Sequence, residues 1–295
     1  MDNRQLQQFV TLAETLHFGR ASDLAHVSAS ALSRSIRQLE AEVGVTLFSR
    51  DNRSVSLTPA GADFLDYARD ALEQWDLVRH QLQEEAGELQ GEVRMYCSVT
   101  ASYSFLFDLL SRVRAEHPRI EIKLLTGDPE NAIARVLSGD ADIAIGARPD
   151  VLPAPLAFRP IATSPLVFVA AHGHEDYSRL QGRQPSAGDW ADTPLILSER
   201  GLARSRVDKW FAEHGVQPDI YAQVAGNEAI VSMVSLGFGV GVVPQIVVDN
   251  SPLADKVTVL DLKPELEPYE VGLFTLNKKL RNPLIGAFWA MQKSS

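Results

Sequence analysis

The sequence has one cysteine and no long apolar run, and both features exclude broad classes of protein. Cys97 alone forms no internal disulfide and excludes a cysteine-rich metal site. The best candidate for a membrane span, VSLGFGVGVVPQIVV at 234–248, is interrupted by glycines, Pro244 and Gln245. The first ten residues lack the basic start and apolar core of a signal peptide. We therefore expect a cytoplasmic protein that does not enter a membrane.

Positive charge is also scarce, and its distribution is uneven. The 295 residues carry a net charge of −10, which is unusual for a protein that binds nucleic acid. Residues 1–57 hold six arginines and six acids, whereas 58–90 hold eight acids and two arginines. No lysine precedes Lys123, and arginine suits bidentate recognition of guanine edges and phosphates. We expect tight DNA binding to need two such N-terminal segments on one DNA, because each alone is nearly neutral.

The segment 17–40 has the pattern of two short helices joined by a tight turn. Ser28 lies where an N-cap is expected, and Leu32, Ile36 and Leu39 then recur at helical spacing. The other side of this second helix begins with small residues followed by arginines, as a helix that reads the major groove requires. An ordinary helical hairpin of the core has the same periodicity. The candidate DNA contacts of this segment are Ser28, Ser30, Ser33, Arg34 and Arg37.

A short hairpin follows the second helix. Gly44 is expected to end that helix, and a polar turn from Arg50 to Arg53 separates two short apolar stretches. Such a wing would lay Arg50 and Arg53 beside the phosphate backbone. A solvated hairpin without function is the alternative, and it is less favoured directly after a helix-turn-helix pattern.

A long helix is predicted from Thr58-Pro59 to about Glu85, since threonine caps helices and proline suits their first turn. Its apolar residues recur every three or four positions: Leu65, Ala68, Leu72, Trp75 and Leu82. These five residues form an apolar seam along one side of the helix. The seam needs a packing partner, either the chain's own domains or a second helix. We favour a dimerisation helix that sets the separation of two DNA-binding domains.

The remainder of the chain alternates between strands and helices, which predicts parallel sheets with a ligand at the carboxyl ends of the strands. Prolines between 149 and 165 mark a crossing into a second lobe, and the strand 270–276 returns to the first. Two lobes bracket a cleft, a usual place for a small ligand. The predicted domains are a DNA-binding domain at 1–58, a linker helix and hinge at 59–90, and an effector domain at 91–295 (lobe I about 91–161 and 267–295; lobe II about 162–266).

Several polar residues are predicted at the cleft, where hydroxyls and free amides of helix N-termini suit a small carboxylate. These candidates are Ser98, Thr100, Ser102, Thr126, Arg204 and Asn227. Simple N-capping explains at least one of the three hydroxyls at 98–102. Arg204 and Arg206 point to different sides of one helix, so we expect only one of them in the cleft. Glu228 would repel an anion, and Asn227 is therefore preferred to it.

Enzymatic function is not indicated. The sequence has no phosphate loop, no metal-spaced His/Cys cluster and no nucleophile elbow. His172 and His174 share an acidic loop, but no third ligand stands at a suitable spacing. We expect no catalytic residues, no bound metal and no cofactor. A cytosolic solute-binding protein would explain the two lobes, but it would leave residues 1–85 without a role.

Taken together, six stretches carry a family resemblance: HFGRAS, HVSASALSRSIRQLE, LFSRDNRSVSLTPAG, AEHPRIEIKLL, GDADIAI and SMVSLGFGVGVVP. In this order and spacing they resemble the LysR-type transcriptional regulators over essentially the whole chain. The resemblance implies a winged helix-turn-helix, a linker helix and a two-lobed α/β effector domain like that of periplasmic binding proteins. It also implies a homotetramer that binds an inverted repeat in promoter DNA and acts on RNA polymerase.

A narrower resemblance rests on CSVTASYS, IEIKLLTGD and PLIGAFW. They are similar to a branch of the family that activates the acetohydroxy acid isomeroreductase step of branched-chain amino-acid synthesis. The implied inducer is 2-acetolactate or 2-aceto-2-hydroxybutyrate; a regulator of another pathway, sensing another small carboxylate, is the alternative. Ser30 replaces a proline that is frequent in the family, so base preference does not carry over.

Overall fold

The computed structural model describes residues 1–50, 54–174, 177, 180–182 and 185–291. The chain divides into two compact units, Met1–Glu85 and Ala86–Ser295, and each is described by itself. Within the described ranges, no helix combines the length and the apolar character needed to cross a bilayer.

The first unit is a winged helix-turn-helix followed by a long helix. Its elements are α1 (Asn3–Thr15), α2 (Phe18–Leu24), α3 (Ala29–Val43), β1 (Phe48–Arg50), β2 (Val55–Leu57) and α4 (Pro59–Glu85). The fully buried Phe9, Leu32 and Leu39 form the centre of its core. As expected, α3 begins where Ser28 Oγ accepts the Ala31 amide at 3.2 Å. It ends at Gly44, whose φ of 85° is the left-handed conformation that favours glycine.

The predicted seam of α4 is divided in two. Its first half packs against the chain's own core, where Ala68 is fully buried and Leu65 and Leu72 are partly buried. Its second half is exposed, with Trp75 at 53% and Leu82 at 62%. Self-packing therefore accounts for the N-terminal half of the seam, and only the C-terminal half remains available to a second helix.

The second unit has two lobes, each built on a five-stranded sheet. Lobe I contains β3 (Gly91–Cys97), α5 (Val99–Ser104), α6 (Leu106–Glu116), β4 (Ile120–Thr126), α7 (Ala132–Leu137), β5 (Ile143–Ala147), β6 (Leu156–Ser164), β12 (Tyr269–Leu276) and α12 (Pro283–Met291). Lobe II contains β7 (Leu166–Ala171), α8 (Ala187–Ala191), β8 (Leu195–Ser198), α9 (Leu202–Glu213), β9 (Ile220–Val224), α10 (Asn227–Ser235), β10 (Val240–Pro244), α11 (Gln245–Asp249) and β11 (Val257–Leu260).

The sheets are mixed, whereas the alternation of strands and helices predicted parallel ones. The strand orders are β4-β3-β5-β12-β6 and β11-β7-β10-β8-β9. In lobe I, β4, β3 and β5 run parallel, β12 pairs with β5 antiparallel, and β6 pairs with β12 antiparallel. In lobe II, β10, β8 and β9 run parallel, β7 pairs with β10 antiparallel, and β11 pairs with β7 antiparallel. The antiparallel strands come from the segments where the chain crosses between lobes or returns.

A partly buried ionic cluster centred on Asp142 joins the elements of lobe I. Its carboxylate accepts hydrogen bonds from the Arg94 backbone amide at 2.9 Å and from the Arg94 guanidinium at 3.0 and 3.2 Å. Lys279 Nζ lies 2.6 Å from the same carboxylate. Burial opposes ionisation, but the bonds from Arg94 and the charge of Lys279 outweigh it and lower the pKa of Asp142. The cluster therefore stabilises the fold best while Asp142 is ionised.

Candidate functional site

The candidate reading helix, α3, presents polar side chains opposite its buried face. Ser30, Arg34 and Arg37 are exposed on it, whereas Leu32 and Ile36 are fully buried. Ser28 Oγ lies 3.1 Å from Ser30 Oγ, so the two hydroxyls that open the helix are neighbours. This face combines a small, polar N-terminal end with the exposed guanidinium groups of Arg34 and Arg37.

The arginines of this face differ in how firmly they are held. Arg37 Nε donates to the Ser33 carbonyl at a long 3.3 Å, and Ser33 is half-buried. Arg34 forms no hydrogen bond or ion pair with the residues that the structure describes. Its five N–H donors are therefore available to a base edge or a phosphate.

Glu40 connects the reading helix to the wing, a role that sequence reasoning missed. Its Oε1 accepts the backbone amides of Leu47 at 2.9 Å and Phe48 at 3.1 Å. Its Oε2 accepts from Arg50 Nη2 at 2.7 Å, and the Arg50 guanidinium also lies 5.3 Å from the centre of the Phe18 ring. The charge of Arg50 is thus already paired, which weakens the expectation that Arg50 binds phosphate. Arg53 lies outside the described residues.

A cleft of about 340 Å³ lies between the two lobes of the second unit. Its principal polar residues are Ser98, Thr100, Glu130, Asp150, Asn227 and Tyr269. The Asn227 amide and the Tyr269 hydroxyl form no hydrogen bond within the described part of the chain, so both can bind a ligand. None of the described lining residues is a lysine or arginine. The cleft therefore offers hydrogen-bonding groups rather than cations.

Three of the predicted effector residues line this cleft. Ser98 does so while its Oγ caps α5 by accepting the Ala101 amide at 3.1 Å. Thr100 is nearly buried, and Asn227 opens α10 on the facing lobe. The structure thus brings residues 98, 100 and 227 together although they are far apart in sequence.

The other three predicted effector residues, Ser102, Thr126 and Arg204, lie outside the lining of this cavity. Ser102 Oγ donates to the Val99 carbonyl at 2.6 Å and faces a groove on the outside of lobe I. Thr126 is exposed at the end of β4, away from the cleft. Arg204 is held by Asp208 at 2.8 Å and by the side chain of Gln223 at 2.9 Å. In α9 the side chains of Leu202, Ala203 and Ser205, rather than an arginine, face the cavity.

Arg206, the second arginine of α9, also stays out of the cavity lining. Its guanidinium lies 5.6 Å from the centre of the Tyr269 ring, and its Nη2 lies 3.6 Å from Asp150. Burial raises the pKa of Tyr269 and the nearby charge of Glu130 raises it further, whereas Arg206 opposes them. Tyr269 therefore remains a neutral donor at the cavity wall.

Two acidic residues reach from one lobe to the other. Glu228 of lobe II accepts from the amide and the hydroxyl of Thr100 in lobe I, at 2.9 and 2.6 Å. Glu130 of lobe I places its carboxyl group against Gly201 at the start of α9 in lobe II, where an added Cβ would lie 1.7 Å from Glu130 Cδ. Burial and the charge of Asp128 raise the pKa of Glu130, against the nearby backbone amide of Leu202 and the charge of Arg200. The sequence indicated Glu228 only as a group that repels anions and gave no signal for Glu130.

Comparisons with known proteins agree with this architecture. Residues 3–62 match the family of bacterial regulatory helix-turn-helix proteins of the lysR family, and residues 86–294 match the LysR substrate binding domain. The chain is 43% identical to the HTH-type transcriptional activator IlvY of Salmonella typhimurium over 98% of both chains. It is 42% identical to the transcriptional regulator IlvY of Escherichia coli, again over 98% of both chains.

A solved structure shows the same fold at lower sequence identity. A full-length variant of OxyR from Pseudomonas aeruginosa is 24% identical, with a TM-score of 0.71 over 99% of this chain and 97% of that chain. Together with the two family matches, which cover both units, this result supports the assignment made from the sequence. The chain belongs to the LysR family of helix-turn-helix transcriptional regulators.

Proposed function

We propose that the chain is a cytoplasmic, effector-controlled activator of branched-chain amino-acid synthesis, induced by 2-acetolactate or 2-aceto-2-hydroxybutyrate. The observation that carries this proposal is the 43% identity, over nearly the full length of both chains, to a relative named as the activator IlvY. The relatives are named as regulators rather than enzymes, which agrees with a chain that binds its ligand without converting it.

Promoter DNA is read by α3, with Arg34 as its principal base contact. Support comes from the exposed guanidinium of Arg34, which has no partner among the described residues, and from the polar N-terminal end around Ser28 and Ser30. Arginine on a helix in the major groove pairs with guanine O6 and N7 and discriminates by about 1–3 kcal/mol. Arg37, one turn further along, serves the phosphates that fix the position of the helix.

The working assembly is a homotetramer on an inverted repeat, and the exposed half of the α4 seam supports the dimer within it. Trp75, Val78 and Leu82 stand three and four residues apart, as partners in a coiled coil do. On the second unit, the exposed Phe107 of α6 and the exposed Phe238 before β10 offer a patch on each lobe for further contacts. RNA polymerase is the partner that such an assembly presents at the promoter.

The effector is a small carboxylate bound in the cleft by neutral donors. Asn227 and Tyr269 supply polar groups that have no hydrogen-bond partner among the described residues, and Thr100 supplies a hydroxyl and an amide once Glu228, which accepts from both in this structure, moves away. An acetohydroxy acid has a ketone, a hydroxyl and a carboxylate, and the oxygens of all three can accept hydrogen bonds from the donors of this lining.

The test of the effector is the thermal unfolding of the full-length chain with five compounds: 2-acetolactate, 2-aceto-2-hydroxybutyrate, pyruvate, valine and benzoate. A compound that binds only the folded state raises the midpoint by mass action, by about 2.7 kcal/mol of stability at a hundredfold excess over Kd. We expect a rise with the two acetohydroxy acids alone. A rise with benzoate or valine alone would retain the regulator and overturn the branched-chain assignment.

The test of the reading helix is the substitution Arg34→Ala, with Arg4→Ala as its control. Arg4 is an exposed arginine of α1 on the same unit. We expect Arg34→Ala to weaken operator binding by about 1–3 kcal/mol and to relax the preference for one base pair. Unchanged affinity and unchanged base preference would show that α3 does not read DNA through Arg34.

A further inference from the structure

The two cross-lobe glutamates are related by a reciprocal arrangement. Each lobe contributes one carboxylate, and each carboxylate lies against the start of a helix in the other lobe. The two contacts, Glu228 with Thr100 and Glu130 with the start of α9 at Gly201 and Leu202, both border the same cleft. A displacement that separates the lobes would break both.

Local geometry at Thr100 shows that its contact is specific. Thr100 is 5% exposed, and Oε1 of Glu228 receives both its amide and its hydroxyl. Hydrogen bonds to a carboxylate are about twice as strong as those between neutral groups. Within α5 itself, Ser98 already caps the Ala101 amide, so Glu228 completes what the short helix leaves unsatisfied.

The contact of Glu130 with the start of α9 depends on Gly201, which has no side chain in its way. Gly201 precedes α9, has a φ of 99° and provides no side-chain cap. A Cβ at Gly201 would lie 1.7 Å from Cδ of Glu130, so only glycine leaves room for this carboxylate. The Glu130 carboxyl of lobe I thus lies directly at the N-terminus of α9, and beside it Arg200 Nη2 donates to Asn131 Oδ1 of lobe I at 3.4 Å.

The charges around the cleft oppose the binding of an anion near Thr100. Glu130, Asp150 and Glu228 are acidic, and the described lining residues include no cation. An anionic ligand that approaches Thr100 meets a position already filled by a carboxylate of the protein. Binding there requires that Glu228 move away.

We propose that Glu228 and Glu130 form a two-way latch across the cleft, which holds the lobes together without effector, and that an anionic effector must displace Glu228 from Thr100. This inference rests on the proposed role of the cleft as the effector site. The latched lobes are one state of an equilibrium, and an effector shifts it only through its preference for the other state. Loosening the latch lowers the free energy that the effector has to supply.

The first experiment uses the effector-free, full-length chain and therefore does not depend on the identity of the inducer. Hydrogen–deuterium exchange is followed in peptides that cover 98–105 and 201–206, for the natural chain and the variants Glu228→Ala and Glu130→Ala. Glu116→Ala, an exposed position at the end of α6, is the matched control.

The expected result is reciprocal. Glu228→Ala accelerates exchange at 201–206 as well as at 98–105, and Glu130→Ala accelerates exchange at 98–105, each by on the order of tenfold. The control leaves both peptides unchanged. Acceleration confined to the peptide that each glutamate touches, or no acceleration, would overturn the latch.

The second experiment measures the affinity of the full-length chain for 2-acetolactate by calorimetry. Glu228→Gln removes the charge with little change of shape, and we expect it to bind 2-acetolactate several-fold more tightly than the natural chain. Equal binding would show that Glu228 does not affect the effector, and weaker binding would show that Glu228 contacts it directly. Either result would overturn the proposed displacement. If the natural chain binds no 2-acetolactate, the proposed inducer fails, and the exchange experiment still decides the latch.

Discussion

Replacing Glu40 with alanine tests whether the reading helix and the wing form one rigid body. The Glu40 side chain is 11% exposed and accepts two backbone amides and one guanidinium. Its removal leaves the amides of Leu47 and Phe48 without an acceptor, at about 1–3 kcal/mol each. The pair with Arg50, whose side chain is 30% exposed, contributes less than about 1 kcal/mol. We therefore expect a destabilisation of the first unit by about 3 kcal/mol.

The measurement combines thermal unfolding of the full-length chain with hydrogen exchange at Leu47 and Phe48. Exchange at both amides should accelerate, and operator affinity should fall because the wing no longer holds its position beside α3. Glu40→Gln keeps an oxygen for the amides and should lie between the natural chain and Glu40→Ala. Glu42→Ala, on the same helix but exposed, should change stability by no more than about 0.5 kcal/mol. If Glu40→Ala and Glu42→Ala behave alike, the reasoning is refuted.

Three further predictions concern the linker, the cleft and the ionic cluster. Leu82→Asp should reduce the molar mass of the assembly in light scattering, whereas Gln81→Asp, at a neighbouring exposed position, should not. If the two variants have the same molar mass, the α4 seam does not hold the assembly together. Asn227→Ala should weaken effector binding by about 1 kcal/mol or more, whereas Arg204→Ala should leave it unchanged because Asp208 and Gln223 hold Arg204 outside the cavity; the reverse order in calorimetry would contradict the assignment. Asp142→Asn should lower the unfolding midpoint at neutral pH, by the equivalent of about 3 kcal/mol. Because the pKa of Asp142 is lowered in the folded state, its stabilisation is present above the unfolded pKa and is lost as pH falls through the folded pKa, so the two midpoints should converge in acid; a constant difference would contradict this.

Local patterns made the DNA-binding half predictable. Ser28 and Gly44 mark the ends of α3 through capping and backbone conformation, which depend on a few adjacent residues. The apolar spacing of α3 and α4 followed from helical periodicity alone. The division of the α4 seam did not, because it depends on where the core of the first unit ends.

The sheets were less predictable because strand pairing joins distant segments. The strand β6 was not expected, since Pro160 and its neighbouring prolines indicated a crossing rather than a strand. Pro160 is tolerated in this strand because β6 lies at the edge of its sheet. Among the described strands β6 pairs with β12 alone, which comes more than a hundred residues later. Periodicity gives no information about such a partner.

The cleft shows the same limit in its chemistry. Ser98 and Thr100 followed from their place after a strand, and both line the cavity. The partner of Thr100 did not follow, because Glu228 lies 128 positions away and its charge suggested repulsion of a ligand rather than a contact within the protein. The position of Arg204 was only half predictable: Asp208 lies four residues further along the same helix, at the spacing of a helical ion pair, but Gln223 lies on β9, which no spacing rule identifies.

The most direct test of the central claim is a footprint and transcription assay on the promoter region of the acetohydroxy acid isomeroreductase gene from the same genome. We expect the full-length chain to protect an inverted repeat there, and 2-acetolactate to increase transcription while the protein stays bound. An unprotected promoter, or transcription that does not respond to either acetohydroxy acid, would contradict the proposed function.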